Sequence, residues 1–391
     1  MKKVNINKFF KAFIGLITGI IFFEISLKTI ENSSLWRIFP VVEPILGEPD
    51  KNIGYKFTPY QEGIWLKENR VKVKINSIGI RDISYTDDTK NFFKIVLTGD
   101  SMVEALQVSE DYVFENITER NLDNFINKDF RIFNLSKSGD GPLRQLVTLE
   151  EIGFDLDPDL VIFFSSYTDF LSGELLDDTI SPGYRVRKGG NIERSYSFRN
   201  RWQIEKSDSR LFKYVLGAIK KSPTLRIIYF KSKEDFKKLL GINKKKVLIA
   251  NNESDKCFKK EIDRFSYFLK EQNNDLNLQI LKYFIKDLKN STKNEKSSLI
   301  YIINSIPIPD KSCIEEILAR KDAVNNLNSI FNQNNIKFVD FNYLIKNKFG
   351  SLSNSDLKYS GGHLNYLGHQ IYSEALSYLI KEFLKENNSN L

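Results

Sequence analysis

The chain has 391 residues, 41% of them hydrophobic and 13% aromatic, which suits one large α/β domain with additions, or two modest domains, and excludes wholesale disorder. Its net charge of +8 comes from scattered lysines such as Lys244-Lys245-Lys246 and Lys259-Lys260, with acids interleaved. That is the pattern of a solvated surface, and no nucleic-acid motif accompanies it. Two cysteines, Cys257 and Cys313, are too few for a disulfide framework, although they can pair once in an oxidising compartment. His363 and His369 are the two histidines, so the residues argue against a tetrahedral Cys/His zinc site, and any imidazole base must be one of them.

The first element is apolar. Residues 9–27 form the one long hydrophobic stretch, uninterrupted over 12–23, with Lys2, Lys3, Lys8 and Lys11 before that core and Glu24 near its far end. The lysines keep the N-terminus in the cytoplasm and export the remainder of the chain. No small-x-small site comes after the core, which favours an uncleaved anchor over a cleaved signal peptide. The division that results is a cytoplasmic tail at 1–8, a transmembrane anchor at 9–30, a connector at 31–90 and a main domain at 91–391.

The connector carries a short strand signal at 71–75. In the main domain, five short apolar runs at 93–97, 130–135, 160–164, 299–306 and 336–341 alternate with helix-like stretches. That alternation predicts a doubly wound, mainly parallel five-stranded α/β sheet. Helices are expected after Asp111, after Pro142 and over 314–332. A final helix carries Ile371, Ala375, Leu376, Leu379, Ile380, Phe383 and Leu384 on one stripe of period 3.6. The interval 171–298 is too long for a simple crossover. Helical patches at 258–269 and 276–288 make it a mostly helical insertion, read as a cap over the functional edge in preference to a unit packed on the flank.

In doubly wound sheets, ligands bind beyond the carboxyl ends of the strands, and polar clusters stand there. The first strand runs into Gly99-Asp100-Ser101, the second into Asn134 through Gly141, and the third into Ser165-Ser166-Tyr167-Thr168-Asp169. Gly361-Gly362-His363-Leu364-Asn365 and Gly368-His369 precede the last helix. A serine at a strand-to-helix turn exposes its hydroxyl, and a glycine nearby brings a backbone N–H close to a ligand. Taken singly, these are ordinary caps and turns; their order along one edge is what points to nucleophilic chemistry.

Together they resemble the SGNH (GDSL-type) hydrolase family, in particular its membrane-anchored bacterial branch. The resemblance also takes in the anchor with its late Glu24 and the segment Asn76-Ser77-Ile78-Gly79-Ile80-Arg81. It implies a flavodoxin-like fold with Ser101 as nucleophile and His363 as base, and leaves His369 a structural role. The oxyanion donors it implies are the N–H groups of Ser101 and Gly139 and, where the family has an asparagine, Thr168. The family's acid sits two or three residues before the histidine, here Gly361 or Ser360, so the nearest upstream carboxylate, Asp356, is the expected orienting acid unless a Ser–His dyad operates.

The function this implies is an extracytoplasmic esterase or O-acyltransferase that works through an acyl-enzyme on an ester of an envelope glycan, without metal or organic cofactor. Its partners would be the membrane and an acylated glycan or small ester, not nucleic acid. The alternatives are a catalytically inactive relative that binds glycan or an assembly partner, and a structural scaffold of the envelope.

Overall fold

In the computed structural model the described residues are 6–33, 47–65, 68–81, 92–123, 125, 128–171, 175–176, 181–200, 210–225, 227–229, 257–269, 276–294, 297–304, 306–350, 352, 354–359 and 362–387. The run Lys244-Lys245-Lys246 and the positions Ser360 and Gly361 lie outside them.

Helix α1 (Ile6–Asn32) contains a 21-residue apolar segment, Phe10–Ile30, long and apolar enough to cross a membrane. Its large apolar side chains from Phe10 to Ile25 are exposed, Phe22 at 72% and Leu16 at 61%. A helix this apolar and so little buried by its own chain suits a membrane anchor or a signal sequence.

The five apolar runs fold as one sheet. Strands β1 (Phe93–Thr98), β2 (Phe130–Asn134), β3 (Leu160–Ser166), β4 (Ser298–Asn304) and β5 (Lys337–Asp340) lie in the order β5-β4-β3-β1-β2, and every pairing is parallel. This is the flavodoxin-type order, whose direction of winding reverses beside β1. Helices flank both faces: α2 (Phe114–Leu122), α3 (Pro142–Thr148), α4 (Leu276–Asn294), α5 (Ile314–Asn332), α6 (Phe341–Phe349) and α7 (Tyr366–Asn387).

Strand periodicity sorts the core into two layers. Val161 and Phe163 of β3 point to one side, with Val96, Phe133 and Tyr301, and pack on α3, α4 and α5. Leu160, Ile162 and Phe164 point to the other, with Ile95 and Ile302, and pack on α2, α6 and α7. The predicted stripe of α7 from Ala375 to Leu384 enters the second layer together with Tyr372, and Ile371 packs against it.

One sequence expectation changes here. The described part of 171–298 is not a helical cap. Leu281, Phe284 and Leu288 of α4, with Phe265 and Leu269 before it, lie in the first core layer, so α4 is the crossover between β3 and β4. The same interval contributes an antiparallel hairpin, Gly183–Val186 with Ile192–Ser195. That hairpin is fixed to the flank: Tyr184 donates to Asp287 at 2.7 Å, and Arg194 bridges Glu150 at 2.6 Å and Asp287 at 2.6 Å. A disulfide from Cys257 to Cys313 ties the interval to the start of α5.

The connector has the expected strand at Val71–Lys74. It folds into two antiparallel hairpins, Gly47–Asp50 with Gly54–Phe57 and Glu62–Trp65 with Val71–Lys74. Phe57, Val71, Val73 and Ile75 close over Leu106 in a small core of their own.

If α4 is core rather than lid, Phe284→Ala will cost about 3–5 kcal/mol of unfolding free energy, as for other buried aromatics. Urea denaturation checks this; a loss below about 1 kcal/mol would return α4 to the status of a cap.

Candidate active site

The serine turn is over-determined by its sequence. Gly99 ends β1 where a Cβ would lie 2.5 Å from a Val103 methyl, so no larger residue fits without movement. Asp100 caps the one-turn helix Ser101–Glu104, its Oδ1 accepting the Met102 N–H at 2.8 Å. Ala105 closes the turn in the left-handed region at φ 60°. Its carbonyls are gathered by one guanidinium: Arg81 donates to Glu104 O at 3.1 Å and also to Ala105 O and Val108 O. The Asn76–Arg81 segment exists to deliver that side chain. Asn76 Oδ1 accepts the N–H groups of Ile78 and Ile80 at 3.1 and 3.2 Å. Gly79, at φ 83°, passes so near Phe57 O that a Cβ would stand 2.8 Å away.

The loop after β2 is held from below. Gly139 sits at φ 78° in open space, so its backbone conformation rather than crowding calls for glycine. Beside it, Ser138 donates its N–H to Glu104 Oε2 at 3.0 Å and its hydroxyl to the same oxygen, while Tyr55 donates to Ser138 O at 2.7 Å. Beneath lies a buried ionic group. Asp140 is 3.6 Å from Lys137 Nζ and 3.0 Å from Arg144 Nε, and the Arg144 guanidinium stacks 3.9 Å from the Tyr55 ring centroid. Burial pushes the Asp140 carboxyl up and the Lys137 ammonium down, and their mutual attraction opposes both shifts.

These turns frame a cleft of about 260 Å³ at the carboxyl edge of the sheet. Asp100, Ser101 and Met102 line it after β1, and Gly139 and Asp140 after β2. Ser166, Thr168 and Asp169 line it at the end of β3, and Asn304 at the end of β4. Three of the predicted site residues, Ser101, Gly139 and Thr168, are therefore brought together. The Thr168 hydroxyl is exposed and 2.8 Å from the Ser166 hydroxyl. Asn304 escaped sequence reasoning, although an amide interrupting an apolar run near its carboxyl end was a usable signal.

His363 stands on a small β-bridged loop, Lys358 opposite Leu364, in which Tyr359 N–H donates to His363 O at 2.8 Å. It does not line the cleft, but it lies near enough to interact electrostatically with the half-buried Asp100 carboxyl next to Ser101. Burial raises that carboxyl's pKa, while the Met102 N–H, His363 and Lys358 oppose the rise.

The partner of His363 was not foreseen. Its Nδ1 is 2.5 Å from Glu68 Oε1, a carboxylate with a side-chain exposure of only 9%, at the tip of the second connector hairpin. The next residue, Asn69, reaches the hydroxyls of Tyr359 and Tyr366 at 3.4 Å each and so docks the hairpin on the histidine loop. Asp356, the expected acid, is exposed, and its backbone carbonyl accepts from Asn365 Nδ2 at 2.8 Å. The carboxylate bonded to the imidazole Nδ1 is Glu68. No local sequence signal links two residues 295 apart.

His369 is the other kind of histidine. It is wholly buried and stacked on Phe114, and its Nδ1 accepts the Phe114 N–H at 3.2 Å. Burial lowers its pKa to about 3 and keeps the ring neutral. Among the described residues, Cys257, Cys313 and Glu316 form the one cluster with metal-ligand chemistry, and its two sulfurs are bonded to each other.

No family model matches the chain, and no curated protein does. The solved structures it is similar to include the esterase EstA from Pseudoalteromonas sp., at 12% identity and TM-score 0.38, covering 75% of this chain and 99% of that one. A catalytic mutant of Axe2, an acetylxylan esterase from Geobacillus stearothermophilus, is similar at 13% identity and TM-score 0.37, covering 75% and 93%. TesA is similar at 11% identity and TM-score 0.36, covering 72% and 95%. Likeness at this level carries no argument about chemistry; the geometry of the residues does.

Burial holds the Glu104 carboxyl at about 7, above its ordinary 4.5, against the pull of the Ser138 hydrogen bonds. Between those values the folded protein keeps a proton that the unfolded chain has released, so stability falls as pH rises through that window. Glu104→Gln will flatten the decline in melting temperature between pH 5 and 7.5, read by thermal unfolding at a series of pH values. An unchanged slope would show that Glu104 titrates normally.

Proposed function

We propose that the chain is an SGNH-like serine esterase or O-acyltransferase working through an acyl-enzyme. The observation that carries the reading is a serine turn and a glycine loop facing one cleft, together with the imidazole of His363 held by the Glu68 carboxylate. In this reading Ser101 Oγ attacks the ester carbonyl and His363 Nε2 takes its proton. Nδ1–H donates to Glu68, which sets the tautomer and stabilises the imidazolium. The oxyanion is met by the N–H groups of Ser101 and Gly139, with the Thr168 hydroxyl as third donor and Ser166 available to donate to it in turn. His363 then returns the proton to the leaving alcohol. Attack on the acyl-enzyme by water completes hydrolysis; attack by a sugar hydroxyl completes transfer.

Glu68 supplies what the histidine loop lacks in sequence. The chain thus carries a Ser101–His363–Glu68 triad whose acid comes from the connector, with Asp356 left out of it. The compartment is inferred from α1 read as an uncleaved anchor with the lysines inside, and the Cys257–Cys313 bond suits an oxidising exterior. An O-acyl, above all O-acetyl, group on an envelope glycan is the substrate class that this location and chemistry suggest, with no metal or organic cofactor taking part.

Purified full-length protein in detergent will hydrolyse p-nitrophenyl acetate and take up a fluorophosphonate label, and Ser101→Ala will abolish both. Absence of Ser101-dependent turnover and labelling would leave a catalytically inactive glycan- or partner-binding protein. In the same assay Glu68→Gln will lower kcat by about 10²–10⁴-fold with little change in KM, as for loss of a triad carboxylate. Asp356→Asn will stay within about twofold of wild type. The reverse ranking would restore Asp356 as the acid.

A further inference from the structure

A carboxylate within an apolar spanning helix is costly and needs a partner. Glu24 of α1 has three. Its Oε2 accepts the Ser222 hydroxyl at 2.8 Å and the Thr224 N–H at 3.1 Å, and Lys28 lies 3.5 Å from its Oε1. Ser222 and Thr224 belong to the turn after the helix Arg210–Lys221, within the long interval between β3 and β4. The turn is itself well made: Ser222 N–H donates to Ala218 O at 3.2 Å, and the Ser222 hydroxyl accepts the Leu225 N–H at 3.2 Å.

The segment clasped to α1 exposes an unusual amount of apolar side chain. Leu211 is 73% exposed, Tyr214 77% and Val215 47%, at spacings that share one helical face. Past the turn, Leu225 and Ile228 are also exposed, again three apart. The same stretch is basic: residues 210–231 include Arg210, Lys213, Lys220, Lys221, Arg226 and Lys231 and no acidic residue. Apolar side chains on one face together with a cationic composition characterise a helix lying in a membrane interface beside acidic headgroups.

The depth agrees. Glu24 is six residues inside the Ile30 end of the apolar segment, which at 1.5 Å per residue is about 9 Å below that end. Interfacial helices bury their apolar faces about 5–10 Å into the headgroup and acyl boundary. Glu24 therefore meets Ser222 and Thr224 at the level where such a helix would lie.

We propose that the segment 210–229 is a second membrane element, an interfacial helix and turn. It would insert Leu211, Tyr214, Val215, Leu225 and Ile228 into the leaflet from which α1 emerges, with Glu24 as the clasp between the two. The partner is the lipid bilayer itself. The proposal rests on α1 being a membrane anchor and is independent of the chemistry at Ser101.

The test places one spin label at a time on the full-length chain in phosphatidylcholine–phosphatidylglycerol vesicles, because the native cysteines are bonded to each other. Tyr214→Cys reports on the segment, Ile20→Cys on α1, and Tyr112→Cys, on the exposed surface of the main domain, serves as the aqueous reference. The label at 214 should collide with oxygen and be shielded from a water-soluble nickel chelate, as at 20 and opposite to 112. Adding Glu24→Leu should raise the chelate's access to 214 several-fold. If 214 behaves like 112 while 20 remains in lipid, the interfacial element is refuted and the anchor stands. If 20 also behaves like 112, both fall. No response to Glu24→Leu would refute the clasp.

Discussion

A parallel sheet covered by helices on both faces has room for polar side chains only at its ends, and that constraint organises this protein. Ile95, Val96 and Leu97 in β1, and Val161, Ile162 and Phe163 in β3, are fully buried, so neither strand can carry chemistry along its length. The backbone reaches polar surroundings where each strand stops. Ser101, Gly139, Thr168 and Asn304 consequently come to a single cleft from four different strand ends, and the reversal of winding beside β1 opens the space between their loops.

Holding those loops in place takes buried charge, which is expensive unless fully partnered. Arg81 is spent on three carbonyls behind the serine turn. Glu104 is spent on Ser138 beside Gly139, and Asp140, Lys137, Arg144 and Tyr55 form one packed group under the same loop. Three of these six residues, Tyr55, Arg81 and Glu104, tie the connector or the serine helix to parts of the chain distant in sequence. The connector thus does two jobs: it stiffens the serine turn through Arg81 and delivers Glu68 to the histidine loop.

Helix α1 fits the same economy. An apolar helix that its own chain leaves largely exposed needs lipid or removal, and the one acid within its segment Phe10–Ile30 is answered by a hydroxyl and an N–H from the long interval. The length of that interval exceeds a simple crossover and so predicts a cap. Its described parts instead divide between the sheet's flank, through α4 and the hairpin at Tyr184, and the neighbourhood of α1.

Whatever depends on short-range repetition was legible in the residues alone. Short continuous apolar runs marked the five strands and period-3.6 burial marked α7, the long run of apolar residues marked α1, and the strand-end polar clusters placed Ser101, Gly139 and Thr168. Four-residue strands such as Val71–Lys74 carry too little periodicity to define a hairpin partner, and a helix like α4 looks the same whether it covers a site or a sheet. Folding in three dimensions was needed to bring Glu68 rather than Asp356 to His363, and Asn304 to the cleft. A pairing between side chains 295 residues apart leaves no local trace, because it is set by how two separately folded hairpins dock and not by the conformational preference of either.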